Sequence, residues 1–114
     1  MITLYHNPRC SKSREALALL REQGQEPEII LYLETPPNAK TLKAILEKLG
    51  ISARELLRKG EDAYKDLNLA DEKLSDAALI KAMVEHPKLI ERPIAINGEK
   101  AVIGRPPQKV KNIL

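Results

Sequence analysis

The 114-residue chain has no tryptophan, no phenylalanine and a single cysteine. Each shortage closes off something. With one thiol, no internal disulfide can form and no multi-cysteine metal site can be built, so Cys10 works without a second thiol from the same chain. Three tyrosines are the only aromatic residues, which leaves base stacking a poor binding mode. The core must then be filled by Leu, Ile, Val and Ala, of which the larger contribute about 1.5–3 kcal/mol each when buried. Apolar runs such as Ile29–Leu33 fall far short of the ~20 residues that span a bilayer. At the N-terminus Met1–Leu4 gives way at once to His6, Asn7 and Pro8, which is no secretory signal, so the chain is expected in the cytoplasm. There is also no internal repeat, low-complexity segment or long block of one charge. The net charge of +3 is scattered, which suits an anionic partner without pointing to nucleic acid.

What remains is an ordinary globular composition, 43% hydrophobic and 31% charged, and a length that predicts one domain over residues 1–114. Ile2–Tyr5 reads as a strand, broken by Asn7-Pro8 into a loop that ends at Cys10. A helix follows, capped by Cys10 or Ser11, with Ala16, Leu17 and Leu20 on its apolar face and Gly24 at its end. Ile29–Leu33 reads as a buried strand, closed by the turn at Pro36, Pro37 and Asn38. Strand, helix and strand with short connections favour a parallel βαβ unit.

The middle of the chain is helical. Leu42, Ile45, Leu46 and Leu49 recur at helical spacing until Gly50, and Ser52 with Glu55 makes a capping box for a short helix carrying Leu56, Leu57 and Arg58. A third helix starts near Ser75, buries Leu79, Ile80 and Met83, and stops before Pro87. Asn97-Gly98 separates Pro93–Ile96 from Lys100–Ile103 and predicts a hairpin with a type I′ turn. A closing helix should turn Val110, Ile113 and Leu114 inward. The predicted class is therefore α/β: a thioredoxin/glutaredoxin-like mixed sheet with helices inserted between its βαβ and ββα halves.

The chemistry concentrates in His6-Asn7-Pro8-Arg9-Cys10-Ser11-Lys12-Ser13-Arg14. This order puts a thiol where a loop hands over to a helix, and the unpaired N–H groups and positive dipole end there favour a thiolate and attract an oxyanion. Arg9, Lys12 and Arg14 add positive charge in sequence, each able to depress the thiol pKa if it points at the sulphur. A lone cysteine is more often a small buried hydrophobe. A structural cysteine, however, needs neither a proline loop before it nor hydroxyl and cationic residues after it. His6, four positions before Cys10, can tune the thiol or hydrogen-bond a ligand, whereas His86 before Pro87 reads as structural.

On these residues the chain resembles the arsenate reductase family that depends on glutathione and glutaredoxin. The likeness runs from about Ile2 to Leu114. It is carried by His6-Asn7-Pro8 before Cys10, by Ser13-Arg14 after it, and by Arg58 in Glu55-Leu56-Leu57-Arg58, Arg92 in Arg92-Pro93 and Arg105 in Gly104-Arg105-Pro106. The resemblance implies that Cys10 is the nucleophile and that Arg58, Arg92 and Arg105 hold the oxyanion, with His6 and Ser13 among the substrate-binding residues. It further implies a cis-proline at Pro93, arsenate as substrate, no bound cofactor, and glutathione with glutaredoxin as external reductant. Guanidinium forks suit a tetrahedral dianion. Better-known members carry Ala before the cysteine and Gly-Thr after it, where this chain has Arg9 and Ser11-Lys12. Two other readings stay open. An Spx-like regulator binding RNA polymerase would share the fold, but those regulators commonly carry Cys-x-x-Cys where this chain has Cys10-Ser11-Lys12-Ser13. A monothiol glutathione-dependent disulfide reductase needs no more than Cys-x-x-Ser.

Overall fold

The computed structural model describes residues 1–114, which divide into two compact units. The first comprises Met1–Thr35 and Arg92–Leu114, the second Pro36–Glu91.

The first unit is built on a four-stranded sheet in the order β2-β1-β3-β4. Its strands are β1 (Ile2–Tyr5), β2 (Glu28–Ile30), β3 (Ile94–Asn97) and β4 (Lys100–Ile103). β1 runs parallel to β2 and antiparallel to β3, which is antiparallel to β4. The mixed sheet of a thioredoxin/glutaredoxin-like α/β fold is thus present. Helix α1 (Ser11–Glu22) makes the crossover from β1 to β2, as parallel pairing requires. Ala16 and Leu20 of α1 pack into a core with Ile2, Leu4, Ala95, Val110 and Ile113. The last two come from a closing 3-10 helix, Pro107–Ile113.

The expected buried strand over Ile29–Leu33 is not found. β2 is shorter, starts earlier and is largely exposed, because it sits at the sheet edge with β1 as its one neighbour. The side chain that dives inward is Tyr32, beyond the strand's end. Leu114, expected inside, is 44% exposed.

The hairpin forms one residue away from its expected turn. Asn97 pairs with Lys100, so Gly98-Glu99 is the two-residue loop, and only Gly98 has a positive φ, 63°. One left-handed residue in first place is the pattern of a II′ turn, whereas I′ needs two. This register sets Ile94 opposite Ile103. Continued outward, it brings Arg92 and Arg105 to the same open end. Both Arg92–Pro93 and Arg105–Pro106 are cis peptides, the first as the resemblance implied.

Gly104 lies at this open end. Its N–H donates to the Pro93 carbonyl at 2.9 Å. A Cβ there would meet Pro93 Cγ at 2.8 Å and Val110 Cγ1 at 3.2 Å. Gly104→Ala is therefore expected to force a rigid ring and a buried side chain apart and destabilise the fold by roughly 1–3 kcal/mol. A lowered urea midpoint with unchanged slope would be the readout; an unchanged midpoint would refute the close packing.

The second unit is helical. Asn38 accepts from the Thr41 N–H and starts α2 (Ala39–Leu49), which buries Leu42, Ile45 and Leu46 and ends at Gly50 with φ 69°. The predicted capping box of Ser52 and Glu55 is formed and opens α3 (Ala53–Leu56). Leu57 and Arg58, expected within that helix, lie beyond it: Leu57 is extended and bridges to Ile90, and the Arg58 N–H donates to the Leu89 carbonyl at 2.8 Å. A short α4 (Asp62–Asp66), not read from the sequence, has no buried residue to give it an apolar signal. α5 (Asp76–Glu85) is capped by Ser75 and buries Leu79, Ile80 and Met83 against α2 and α3. No helix of the chain is long and apolar enough to cross a membrane.

Candidate active site

The thiol is positioned by the segment between β1 and α1. The His6 N–H donates to the Ile30 carbonyl at 2.9 Å, extending the β1–β2 pairing by one residue. Asn7 then closes the turn twice. Its side-chain Oδ1 accepts the Arg9 N–H at 3.0 Å and its carbonyl accepts the Cys10 N–H at 3.0 Å, the Asx-turn behaviour that suits asparagine before proline. Cys10 is the N-cap of α1, with extended backbone (φ −94°, ψ 123°), and its carbonyl takes the Arg14 N–H at 3.0 Å. The sulphur accordingly stands where a Ser or Asp side chain usually meets the first-turn amides.

Behind the loop, Ser13 is fully buried and His6 is 5% exposed. Ser13 Oγ accepts the Asn7 N–H at 3.0 Å and lies 2.6 Å from His6 Nδ1. Ser13 Oγ and His6 Nδ1 thus share one hydrogen bond, whose direction follows the tautomer of the ring. Burial and then the charges of Arg21 and Arg14 hold the His6 pKa below the ordinary value, consistent with a neutral ring.

Around the sulphur, burial pushes the Cys10 pKa up. The Ser13 N–H, a hydrogen bond and charge from Arg92, and the Lys12 N–H together outweigh it, so the thiol ionises below its ordinary range. Arg105 Nη2 donates to Cys10 Sγ at 3.8 Å, while its Nε donates to the Arg92 carbonyl at 2.8 Å. The open end of the hairpin therefore supplies two guanidinium groups to one sulphur. Cys10 is partly accessible and free.

Of the residues singled out from the sequence, the structure brings together His6, Cys10, Ser13, Arg92 and Arg105, all in the first unit. Arg58 belongs to the second unit, where it is ion-paired to Glu91 at 3.2 Å through Nη1 and to Glu61 at 3.5 Å through Nε. The cations adjacent to Cys10 in sequence do not act as expected. Arg14 Nη1 donates to the Pro8 carbonyl at 3.0 Å, and Lys12 acts on the thiol through its backbone N–H and not its ammonium group. Asn7, read from the sequence only as part of the Asn7-Pro8 break that opens the loop, is the residue that locks it.

A thioredoxin-like sheet that carries one activated thiol at the head of its first helix, flanked by guanidinium groups, defines a class of single-cysteine thiol proteins with an anion-receptive site. Comparison with known proteins names the group within that class. The chain belongs to the ArsC family, whose sequence profile matches residues 5–113. It is 61% identical to the uncharacterized protein YfgD of Escherichia coli (strain K12), over 99% of this chain and 96% of that one. It is 53% identical to a Haemophilus influenzae protein named arsenate reductase, covering 99% and 98% of the two chains. A solved arsenate reductase from Vibrio cholerae superposes with a TM-score of 0.97 at 54% identity, over 99% of this chain and 97% of that one.

Proposed function

We propose that the protein reduces arsenate to arsenite through a covalent Cys10 adduct, with glutathione and glutaredoxin as the external reductants. The observation that carries this is the pair of guanidinium groups, Arg92 and Arg105, directed at a sulphur that ionises readily. The names of the Haemophilus and Vibrio relatives support the choice of arsenate. Arg58 enters the proposal from the family resemblance alone. We place the reaction in the cytoplasm, where a reducing pool keeps a lone thiol reduced.

In the first step the Cys10 thiolate attacks arsenic, an As–O bond breaks, and the oxygen leaves as water after taking up protons. Arsenic stays pentavalent, and Arg92 and Arg105 offset the charge on its remaining oxygens. The electrons come next and from outside, because the chain holds no other thiol. Two external thiols lose a pair of electrons and become a disulfide while arsenic becomes trivalent. Overall, dihydrogen arsenate, two thiols and a proton give arsenous acid, a disulfide and water.

Purified protein with arsenate, glutathione and glutaredoxin is expected to release arsenite. Turnover of a glutathionylated peptide with no arsenite formed from arsenate would instead establish the monothiol reductase and overturn this reading.

A further inference from the structure

Arg92 and Arg105 account for the anion and Cys10 for the bond to it, but the reaction proposed above has a further reactant. That external thiol needs a seat within reach of Cys10. A cleft of about 680 Å³ lies along α1. Arg14, Leu17, Ala18 and Arg21 border it, with His6 and Pro8 at the loop end. Counted from Cys10, these helix positions fall at i+4, i+7, i+8 and i+11, on the same stripe of the helix as the nucleophile. Arg14 and Arg21 are about 6 Å and 16 Å further along the axis than Cys10. The Arg14 guanidinium turns to the Pro8 carbonyl in the loop before Cys10, and the Arg21 guanidinium stands at the far end of the cleft beside Glu26.

The chemistry of the cleft is that of a receptor for an organic anion. Leu17 and Ala18 give it an apolar wall, and Glu22 is its one carboxylate. The Arg21 guanidinium is paired with Glu26 at 3.1 Å, but with side-chain exposures of 50% and 72% such a pair contributes little and gives way to a ligand. Arg14 spends one N–H on the Pro8 carbonyl and keeps the others. His6 lines the cleft too, and its one side-chain hydrogen bond is made through Nδ1, which leaves Nε2 to meet a ligand. The depression of the His6 pKa by Arg21 and Arg14 reports the positive field these groups create there.

We infer that this groove binds the external thiol, as a small carboxylate-bearing thiol of dipeptide to tripeptide size, with its carboxylate on Arg21 and Arg14 and its sulphur directed along α1 to Cys10. The inference rests on the reading of Cys10 as a thiol-dependent nucleophile. Docking itself makes and breaks no bond.

The test has two arms. In the first, Cys10→Ser protein is titrated with S-methylglutathione, which cannot react, and backbone amide shifts are followed by NMR. Shifts are expected along residues 14–22, and adding Arg21→Gln should weaken binding about tenfold, the loss of one charge-assisted contact. In the second arm, the KM for glutathione divided by that for neutral 2-mercaptoethanol should rise about tenfold in Arg21→Gln. Shifts that miss α1, an Arg21→Gln affinity equal to the parent's, or an unchanged KM ratio would each overturn the inference. So would full competition by inorganic phosphate at its own comparable affinity, since the groove would then hold any anion. Because the first arm contains no arsenate, a protein that binds S-methylglutathione on α1 yet makes no arsenite refutes the proposed substrate and leaves the groove assigned.

Discussion

Cys10→Ser is expected to bring arsenite formation down to the uncatalysed background while the protein stays folded. The hydroxyl of serine ionises far above neutral pH, so the amides and guanidinium groups that suffice to ionise a thiol leave it protonated. No S–As bond can form, and no other sulphur nucleophile is available in the chain. Folding should not suffer, because position 10 is the N-cap of α1 and serine is among the favoured N-cap residues. Arsenite release and the thermal midpoint, measured on the same preparation, separate chemistry from folding. Residual turnover above background in the serine protein would remove Cys10 from the mechanism.

Arg92→Ala and Arg105→Ala should each weaken arsenate binding by about tenfold to a hundredfold, the range for a hydrogen bond to a charged group. Arg92 should also change the sulphur itself. The thiol ionises below its ordinary range, in part through the hydrogen bond and charge of Arg92. Alkylation by iodoacetamide consumes the thiolate, so its rate falls as pH drops through the thiol pKa. Without Arg92 that fall should begin at higher pH, and alkylation at neutral pH should slow. Arg105, at 3.8 Å from the sulphur and tied to the Arg92 carbonyl, should move the profile in the same direction when removed. Arsenate should protect Cys10 from alkylation in the parent and protect it less in either variant. Superimposable pH profiles in all three proteins would break the link between these arginines and the thiol.

The legible parts of the fold were those whose signals are local. Ser52 and Glu55 sit three residues apart and cap each other, so no tertiary knowledge was needed to place α3. The loop from His6 to Cys10 and the helix after it read correctly for the same reason. β2 was misread because an apolar run records side-chain character and not the number of neighbouring strands. Ile29 on the edge strand and Leu33 in the turn beyond it are apolar and still exposed. The hairpin shows how a small error spreads. A turn centred on Asn97-Gly98 would set Arg92 opposite Ile103, whereas the observed pairing of Asn97 with Lys100 sets it opposite Arg105. The arginine partnership at the sulphur follows from that one-residue difference. Charges next to Cys10 in sequence misled in turn: the Arg14 side chain turns back to Pro8, while a residue more than eighty positions away supplies the charge. Proximity along the chain says little about where a long flexible side chain ends. The Arg58 ion pairs to Glu61 and Glu91 were likewise invisible, since they depend on Leu57 leaving its helix to bridge Ile90.

Helix α1 begins with no acidic residue in its first turn. The Cys10 sulphur, toward which the Ser13 and Lys12 N–H groups act, is therefore the group there that can supply a counter-charge to the positive end of the helix. In the reaction we propose, each cycle takes that charge away: while the sulphur is bonded to arsenic or to another sulphur the positive end of α1 faces no local anion of its own, and release of product restores one.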